Sequence, residues 1–280
     1  MQEISGDISS TYRPPLLTKL WYLVFNLIRG LFGFLSIVRA SHLQPKNAKT
    51  QNDRSPMRVI IDHVFAEIIS THLKEKKVSV LDIGAGTAYF REKLASMGYS
   101  GTYTGVDVFQ ETAYSNEAVP QFTSELVLAP IEEFEPPQKY NLVMSVTTLE
   151  HVPDDFRAVE VARRAQSDTG MQIHIVPGFW SLFLYLLHGY RQYNYRRLGK
   201  LFVGQPYTVY RLGGLPSFLV HFFCVTLQDR FLRIPVRKFS WYPRLVTVAI
   251  KLDRWLPICG YAFVVLIKEK NEKQYHYCNL

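Results

Sequence analysis

The chain has 280 residues, of which 48% are hydrophobic and 20% charged, and it carries a formal net charge of +8. This composition is typical of a globular protein and excludes a chain that is disordered throughout. Its three cysteines have neither CxxC nor Cys/His spacing, so they indicate no disulfide framework and no zinc site, and we expect a reducing compartment.

Charge is distributed unevenly along the chain. Residues 8–52 contain six Lys/Arg and no carboxylate, residues 53–168 contain 11 Lys/Arg and 18 Asp/Glu, and residues 169–254 contain 12 Lys/Arg against only Asp229 and Asp253. Basic segments suit nucleic acid, an anionic membrane surface or a phosphorylated substrate. Because these segments are interleaved with Phe, Leu and Trp, we expect a membrane surface as a partner and no nucleic acid.

The first predicted element is an apolar helix over residues 16–40. Its polar and small residues recur three and four positions apart, which places them on one stripe: Lys19, Tyr22, Asn26, Arg29, Gly33, Ser36 and Ala40. The opposite face is apolar: Trp21, Leu23, Val24, Leu27, Ile28, Leu31, Phe34, Leu35 and Val38. A membrane span would bury Arg29 at a cost of about 3 kcal/mol. We therefore predict a basic N-terminal segment, 1–50, whose amphipathic helix lies at the membrane interface. A true span and a helix packed on the protein's own core are the alternatives.

Residues 51–280 alternate between helical and strand-like patterns and are predicted to form one domain. The predicted elements are helix 57–74, strand 78–83, helix 87–97, strand 102–107, a short helix, strand 124–128, strand 140–145, helix 154–166, strand 171–176 and a final strand-like run 260–268. This order predicts an α/β fold with a mostly parallel, doubly wound sheet. Beyond Pro177 the chain becomes basic and aromatic, an elaboration that lies outside the alternating pattern.

A glycine-containing turn after the first of these strands carries the strongest chemical signal. Residues 80–87 read VLDIGAGT, where Gly84 and Gly86 permit a sharp turn and a close backbone approach to a ligand. The free N–H groups at the start of the following helix suit a nucleotide-like cofactor. About one β-α unit later a strand ends in Asp107, a carboxylate that can accept both hydroxyls of a ribose.

These residues resemble motif I of the class I S-adenosyl-L-methionine-dependent methyltransferases, approximately [DE]-x-G-x-G-x-G. The third glycine is replaced by Ala88, a mild departure because alanine adds one methyl group. The resemblance extends to KYNLVMS, LEHVPD and GMQIHIVP, so that it covers residues 57–177 and is most similar to the ubiquinone and menaquinone biosynthesis methyltransferases. It implies a Rossmann-like class I fold with a C-terminal antiparallel strand, a cofactor half over 57–177 and a substrate-covering region over 178–280.

The resemblance also implies cofactor-binding residues. Asp82 and the loop of Gly84, Ala85 and Gly86 would face the methionine part of S-adenosyl-L-methionine, Asp107 its ribose, and Val108 its adenine. The acidic residue that often follows the third strand of this family is absent, so backbone groups around Ile131 would take its place.

The loop at residues 147–155 has several interpretations. Some members of the family bind a divalent metal through E-x-x-E-H, but here Thr147 gives T-x-x-E-H, and we predict no metal. His151 is a candidate base for deprotonating a substrate hydroxyl, since an unperturbed histidine pKa of about 6.5 suits that role. Alternatively it only orders the loop. Asp154 and Asp155 are predicted to cap the following helix.

The sequence therefore predicts a methyltransferase that acts on a small or lipophilic acceptor, such as a quinone precursor or a lipid-linked saccharide. O-methylation is favoured over C- or N-methylation, and the expected location is cytoplasmic and peripheral at the membrane. The alternative is a catalytically silent, membrane-associated scaffold. The aromatic-basic segment 190–197 is interpreted either as a solvated loop or as a contact to lipid headgroups or an anionic acceptor. Oligomeric state has no signal in the sequence.

Overall fold

The computed structural model describes residues 17, 20, 21, 24, 25, 27, 28, 41–45, 50, 53–110, 119–185 and 189–268. The α-helices with bounds in this part of the chain are α1 (Pro56–His72), α2 (Tyr89–Ser96), α3 (Asp155–Ala165), α4 (Ser181–Tyr185), α5 (Tyr195–Leu201), α6 (Leu215–Val220) and α7 (Tyr242–Leu252). Short 3-10 helices occupy Ile131–Glu133, Leu149–His151 and Val236–Lys238, and a π-helix, His221–Phe231, follows α6.

The strands form one eight-stranded sheet. They are β1 (Ser41–His42), β2 (Lys77–Ile83), β3 (Ser100–Asp107), β4 (Phe122–Leu128), β5 (Tyr140–Val146), β6 (Gln166–Pro177), β7 (Tyr207–Leu212) and β8 (Ala262–Ile267). Their order across the sheet is β1-β7-β8-β6-β5-β2-β3-β4. The sheet is mostly parallel with antiparallel strands, as the sequence predicts.

The strand order reverses at β2, and this reversal positions the candidate site. β2 pairs in parallel with β3 on one side and with β5 on the other. The chain adds β3 and β4 on the first side of β2 and then returns to add β5 and β6 on the second side. In open α/β sheets a crevice forms at the carboxyl ends of the strands where the order reverses, and ligands bind there. The glycine loop after β2 and the loop after β5 both begin at this edge.

The predicted alternating elements are present with shifted boundaries. α2 begins at Tyr89 instead of residue 87, and β6 begins at Gln166 instead of residue 171. The earlier start of β6 accompanies an irregular register, in which Tyr140 pairs with Gln166 but Leu142 pairs with Met171. The short helix predicted between β3 and β4 falls largely on residues 111–118, outside the described residues.

The buried apolar side chains of β2 and α1 are the ones that their hydrophobic sequence patterns predict. β2 buries residues on both of its faces, as expected for a parallel strand covered by helices on each side. α1 buries a helical stripe of large apolar side chains, namely Ile60, Ile61, Val64, Phe65, Ile68 and Ile69.

The chain divides into two compact units. Unit 1 consists of Met1–Thr71, Pro177–Arg196 and Val209–Val264, and unit 2 of His72–Val176, Arg197–Thr208 and Val265–Leu280. The predicted cofactor residues all lie in unit 2. The aromatic and basic π-helix and α7 lie in unit 1.

Only part of the predicted N-terminal helix lies within the described residues. Trp21, Val24, Leu27 and Ile28 are helical, and of these Leu27 is half-buried and packs on Leu182 while the other three are exposed. The whole predicted polar stripe lies outside the described residues. Within the described part of the chain, no helix is both long enough and apolar enough to span a bilayer.

Candidate cofactor site

The loop after β2 is a tight turn built from two residues with positive φ. Gly84 has φ +75° and Gly86 has φ +51°, and the Gly84 N–H donates to the carbonyl of Val106 at 2.8 Å. A side chain at Gly84 would overlap Thr148, which follows β5, whereas the position of a side chain at Gly86 is open. Gly84 therefore allows close packing between two loops at the point where the strand order reverses, and Gly86 leaves open space that a ligand could fill.

Ala85 lies between the two glycines of this turn, Ala88 follows them, and both alanines are buried. A side chain at Gly105 would lie 2.8 Å from Cβ of Ala85, so Ala85 packs against the backbone of β3. Ala88 adopts φ +59° as the residue before α2. A left-handed conformation costs an L-residue about 1 kcal/mol, a contribution of the backbone that the sequence comparison, which considered only the added methyl group, did not include.

Asp107, at the end of β3, is connected directly to the glycine loop. Its Oδ2 accepts the Gly86 N–H at 2.9 Å, and its Oδ1 accepts the Val108 N–H at 2.8 Å. The carboxylate is half-buried, so it remains accessible while two backbone donors fix its orientation. Charge-assisted hydrogen bonds of this kind are stronger than neutral ones.

Asp82, in β2, is buried away from solvent rather than presented at the surface. Only 2% of the residue is exposed, and Tyr103 donates its hydroxyl proton to Oδ2 at 2.5 Å. Burial raises the pKa of this carboxyl group from 3.8 to about 7; the Tyr103 hydrogen bond opposes the rise and the negative charge of Asp107 adds to it. At neutral pH the carboxyl group is therefore divided between its neutral and charged forms.

An apolar surface lies at the ends of β3 and β4. Val108 and Leu128 are exposed, and the two strand ends are joined by a hydrogen bond of 2.9 Å from the Ala129 N–H to the Asp107 carbonyl. Ile131 begins the 3-10 helix that follows, and its side chain is buried. The predicted residues Val108 and Ile131 therefore differ in exposure: the first presents its side chain, and the second has only backbone groups to offer a ligand.

His151 ends the short 3-10 helix after β5 and is half-buried. Its backbone N–H donates to the Thr148 carbonyl at 2.8 Å. Thr147 adopts φ +52°, an uncommon conformation for a β-branched residue, and backbone strain of this kind is often found at functional sites. Within the described residues, no group of three or more His, Cys, Asp or Glu is arranged to hold a metal ion.

The two aspartates at the start of α3 have different roles. Asp154 caps the helix as predicted, since its Oδ1 accepts the Arg157 N–H at 3.0 Å. The capping prediction for Asp155 is wrong, because its buried carboxylate forms a two-point ion pair with Arg197, with N–O distances of 2.5 and 3.1 Å. The solvated-loop interpretation of 190–197 is wrong for Arg197 and for the buried Tyr193.

Sequence reasoning missed a buried polar chain in β5 and β6. His174 donates from Nε2 to Gln172 Oε1 at 2.9 Å, and its Nδ1 accepts from the Ser145 hydroxyl at 2.8 Å. Burial lowers the pKa of His174 to about 3, so the ring is neutral. The signal in the sequence was polar residues at alternate positions of an otherwise apolar strand, Gln172 and His174, which lie on one face of β6.

Comparison with known proteins supports the fold and the resemblance. Residues 81–173 match the family model described as a methyltransferase domain. The ubiquinone biosynthesis O-methyltransferase of Hydrogenovibrio crunogenus is 26% identical over 138 residues, covering 48% of this chain and 53% of that protein. The chain therefore spans about half the length of this relative.

Solved structures extend the likeness beyond the matched domain, for the fold alone. A structure assigned as a sarcosine dimethylglycine methyltransferase of Galdieria sulphuraria gives a TM-score of 0.52 at 14% identity, over 82% of this chain and 94% of that one. The plantazolicin methyltransferase BpumL in complex with SAH gives a TM-score of 0.50 at 13% identity, over 77% and 85% of the two chains. Residues 81–173 therefore match a methyltransferase domain, and the chain shares its fold with solved methyltransferase structures.

Proposed function

We propose that this chain is an active S-adenosyl-L-methionine-dependent methyltransferase that methylates an oxygen of a small or lipophilic acceptor. The observation that carries the proposal is the hydrogen bond between the Gly86 N–H and the Asp107 carboxylate, which joins the two halves of a nucleoside-binding site. The cofactor supplies an electrophilic methyl group when it is bound.

The residues at the ends of β2, β3 and β4 fit this cofactor by their chemistry. Gly86 offers open space beside its backbone, Asp107 offers a fixed carboxylate for the ribose hydroxyls, and Val108 offers an apolar surface for the adenine. Backbone groups near Ile131 replace the acidic residue that is absent. Asp82 acts indirectly, by holding β2 against Tyr103 beside the methionine end of the site.

His151 is the proposed base for the acceptor hydroxyl. It lies just beyond the end of β5, next to β2, where the strand order reverses and an acceptor would meet the cofactor. The remaining catalysis would come from holding the acceptor oxygen in line with the methyl group and excluding water. A base of this kind contributes about 100- to 10,000-fold to the rate.

A titration of cofactor binding tests the first part of this proposal. Calorimetry with S-adenosyl-L-methionine should show binding to the wild-type chain and its loss in Asp107→Ala. The exposed Glu125 on β4 provides a matched control, so Glu125→Gln should bind normally. The absence of binding in the wild-type chain would contradict the proposal.

A product search tests activity and identifies the acceptor together. Cell extracts and lipid extracts would be incubated with the enzyme and a methyl-deuterated cofactor, and mass spectrometry would find the species that gains the label. His151→Asn should then lower kcat with little change in the cofactor affinity. An unchanged kcat would remove His151 from the chemistry and leave it as a loop-ordering residue.

The location and domain organisation belong to the same proposal. We place the enzyme in the cytoplasm at the membrane periphery, with segment 1–50 as the membrane-associated part, 57–177 as the cofactor half and 178–280 as the substrate-covering region. The exposed apolar side chains Trp21, Val24 and Ile28 support an interfacial helix. A lipophilic or lipid-linked acceptor would then be reached from the bilayer surface.

A catalytically silent scaffold is the second candidate. Its support is the departure from the family pattern at two positions, Ala88 and Thr147, both of which adopt a positive φ. A scaffold would bind the cofactor or the membrane without labelling any product, which the product search would reveal.

A further inference from the structure

One helix of unit 1, α7, carries apolar side chains on an exposed face as well as on its buried face. α7 buries Tyr242, Val246, Ala249 and Ile250, which is the stripe that packs on the protein. A second, exposed stripe runs from the residue before α7 to three residues beyond it and consists of Trp241, Leu245, Val248, Leu252 and Trp255, spaced by three or four residues. We name this second set the α7 stripe. A helix that packs on only one side normally carries polar residues on the other, so an exposed apolar stripe indicates an interaction surface.

The α7 stripe is strongly exposed and rich in tryptophan. Trp255 is 74% exposed, Val248 is 52% exposed and Trp241 is 47% exposed. Exposed apolar side chains also occur in the segment just before α7, at Phe231, Leu232 and Ile234. Tryptophan favours the boundary between water and lipid because its ring is apolar and its N–H is polar.

The charges beside the α7 stripe are of one sign. Arg244 and Lys251 are exposed on α7 and Arg254 is exposed just beyond it, where its guanidinium lies 5.3 Å from the centre of the Trp255 ring. Residues 215–258 contain two carboxylates, of which Asp229 is paired with Arg237 and Asp253 is buried. The surface is therefore apolar with a basic border.

The α7 stripe is held on a packed support. Asp229 in the π-helix and Arg237 in the next 3-10 helix form an ion pair of 2.6 Å, and the Tyr242 hydroxyl donates to the Arg54 carbonyl at 3.2 Å. The Ser217 N–H at the start of α6 donates to Asp253 Oδ1, just beyond α7, at 2.9 Å. These contacts hold α7 in place while its outer side stays exposed.

We propose that the α7 stripe and its basic border form a docking surface for an anionic phospholipid bilayer. Apolar side chains would enter the headgroup region, and Arg244, Lys251 and Arg254 would meet lipid phosphates. A second copy of the chain fits poorly, because a two-fold interface would bring one basic border against the other without carboxylates to pair with it. This inference deepens the peripheral location proposed above and rests on that part of it.

The test is co-sedimentation of the full chain with vesicles of phosphatidylcholine alone and of phosphatidylcholine mixed with phosphatidylglycerol. The wild-type chain should bind the anionic vesicles more tightly, and binding should weaken as salt is raised. The triple variant Arg244→Gln/Lys251→Gln/Arg254→Gln should lose about fivefold in affinity per charge, on the order of a hundredfold in all. All variants keep residues 17–28 unchanged, so the contribution of these residues to vesicle binding cancels when the affinities are compared.

Matched controls lie in unit 2. Lys74→Gln/Lys77→Gln/Lys200→Gln removes three exposed charges elsewhere and should bind like the wild-type chain. For the apolar part, Val248→Ser/Leu252→Ser/Trp255→Ser should weaken binding to both kinds of vesicle, whereas Val203→Ser, which removes an exposed apolar side chain in unit 2, should not.

Three results would overturn the inference. They are equal binding of the wild-type chain to both kinds of vesicle, equal losses in the two charge variants, and a dimer by light scattering that the apolar triple variant converts to monomers. Cofactor calorimetry on the same samples separates this inference from the proposed function. A chain that binds anionic vesicles but not S-adenosyl-L-methionine leaves the docking surface standing and overturns the methyltransferase proposal.

Discussion

The backbone N–H of Gly86 donates a hydrogen bond of 2.9 Å to Oδ2 of Asp107, 21 residues further along the chain. The carboxylate thus orients the glycine loop, and it uses its other oxygen to accept the Val108 N–H. Besides this role in shaping the loop, we propose a separable role for Asp107 in binding the ribose of the cofactor.

The first prediction separates these roles by substituting Asp107→Asn. The amide oxygen can still accept one backbone N–H, so the fold should persist, but the charge that strengthens hydrogen bonds to the ribose is lost. We expect cofactor affinity to fall by about 10- to 100-fold, because hydrogen bonds to charged groups contribute about 1.5–3 kcal/mol. Calorimetry measures the affinity and urea unfolding measures the fold. An equal loss of stability and affinity would show that Asp107 is only structural.

The second prediction concerns the left-handed conformation of Ala88. Ala88→Gly removes the strain of φ +59° but gives the unfolded chain more freedom, and these effects are each about 1 kcal/mol and opposite in sign. The free energy of unfolding should therefore change by less than about 1 kcal/mol. Ala88→Val adds a β-branched side chain in a buried position and should destabilise by about 3 kcal/mol. Similar unfolding curves for the two variants would contradict this account.

Strongly patterned local features of the fold could be predicted from the sequence. The alternating strands and helices over 77–177 are apolar runs bounded by turn residues, and their order alone indicates a parallel sheet. The glycine loop and the cap at Asp154 were also predictable, since each depends on neighbours within a few residues. The positive φ of Ala88 could not be predicted, because it is set by how the loop meets α2.

Features that depend on distant partners were not predictable. Asp155 and Arg197 are 42 residues apart, and only the folded chain brings them into one ion pair. The polar chain through Ser145 and His174 depends on the register between β5 and β6, which their patterns do not specify. Likewise the exposure of the α7 stripe could not be predicted, because apolar residues on two stripes of one helix do not show in sequence which stripe is buried.

The third prediction follows from the raised pKa of Asp82. Its carboxyl group binds a proton more tightly in the folded chain, with a pKa of about 7, than in the unfolded chain at 3.8. Its contribution to stability is therefore fully present below about pH 4 and is lost as the pH rises through about 7. Asp82→Asn cannot lose a proton, so its stability relative to the wild-type chain should increase across this window and then level off.

Urea unfolding at a series of pH values checks this prediction. Tyr103→Phe serves as the companion variant, because removing the hydrogen bond that opposes the rise should extend the window to higher pH. A stability difference between Asp82→Asn and the wild-type chain that stays constant from about pH 4 to 8 would mean that Asp82 does not titrate in this way.

The fourth prediction concerns His221 in the π-helix. Burial lowers its pKa to about 3, with Arg230 and Arg237 adding to the effect, and among the described residues neither ring nitrogen has a hydrogen-bond partner. Because the unfolded chain binds this proton at 6.5, the neutral ring's contribution to stability is present above that pH and is lost as the pH falls toward 3. His221→Phe should keep the edge-to-face contact with Tyr185 and flatten this acid dependence. An unchanged pH profile in unfolding experiments would exclude His221 as a source of acid sensitivity.

The last prediction compares a single and a double variant of the ion pair between Asp155 and Arg197. The Asp155 side chain is 2% exposed and that of Arg197 is 18% exposed, so removing one partner leaves the other charge without compensation in a largely dry site. Asp155→Asn should destabilise the chain by about 3 kcal/mol. Asp155→Asn/Arg197→Met should recover part of that loss, because it removes both charges and keeps the volume.

The exposed pair of Glu160 and Arg163, with an N–O distance of 2.6 Å, is the matched control. Glu160→Gln should cost less than about 1 kcal/mol, since water and salt screen such pairs. If Asp155→Asn costs no more than Glu160→Gln, the ion pair does not fasten α5 to the start of α3.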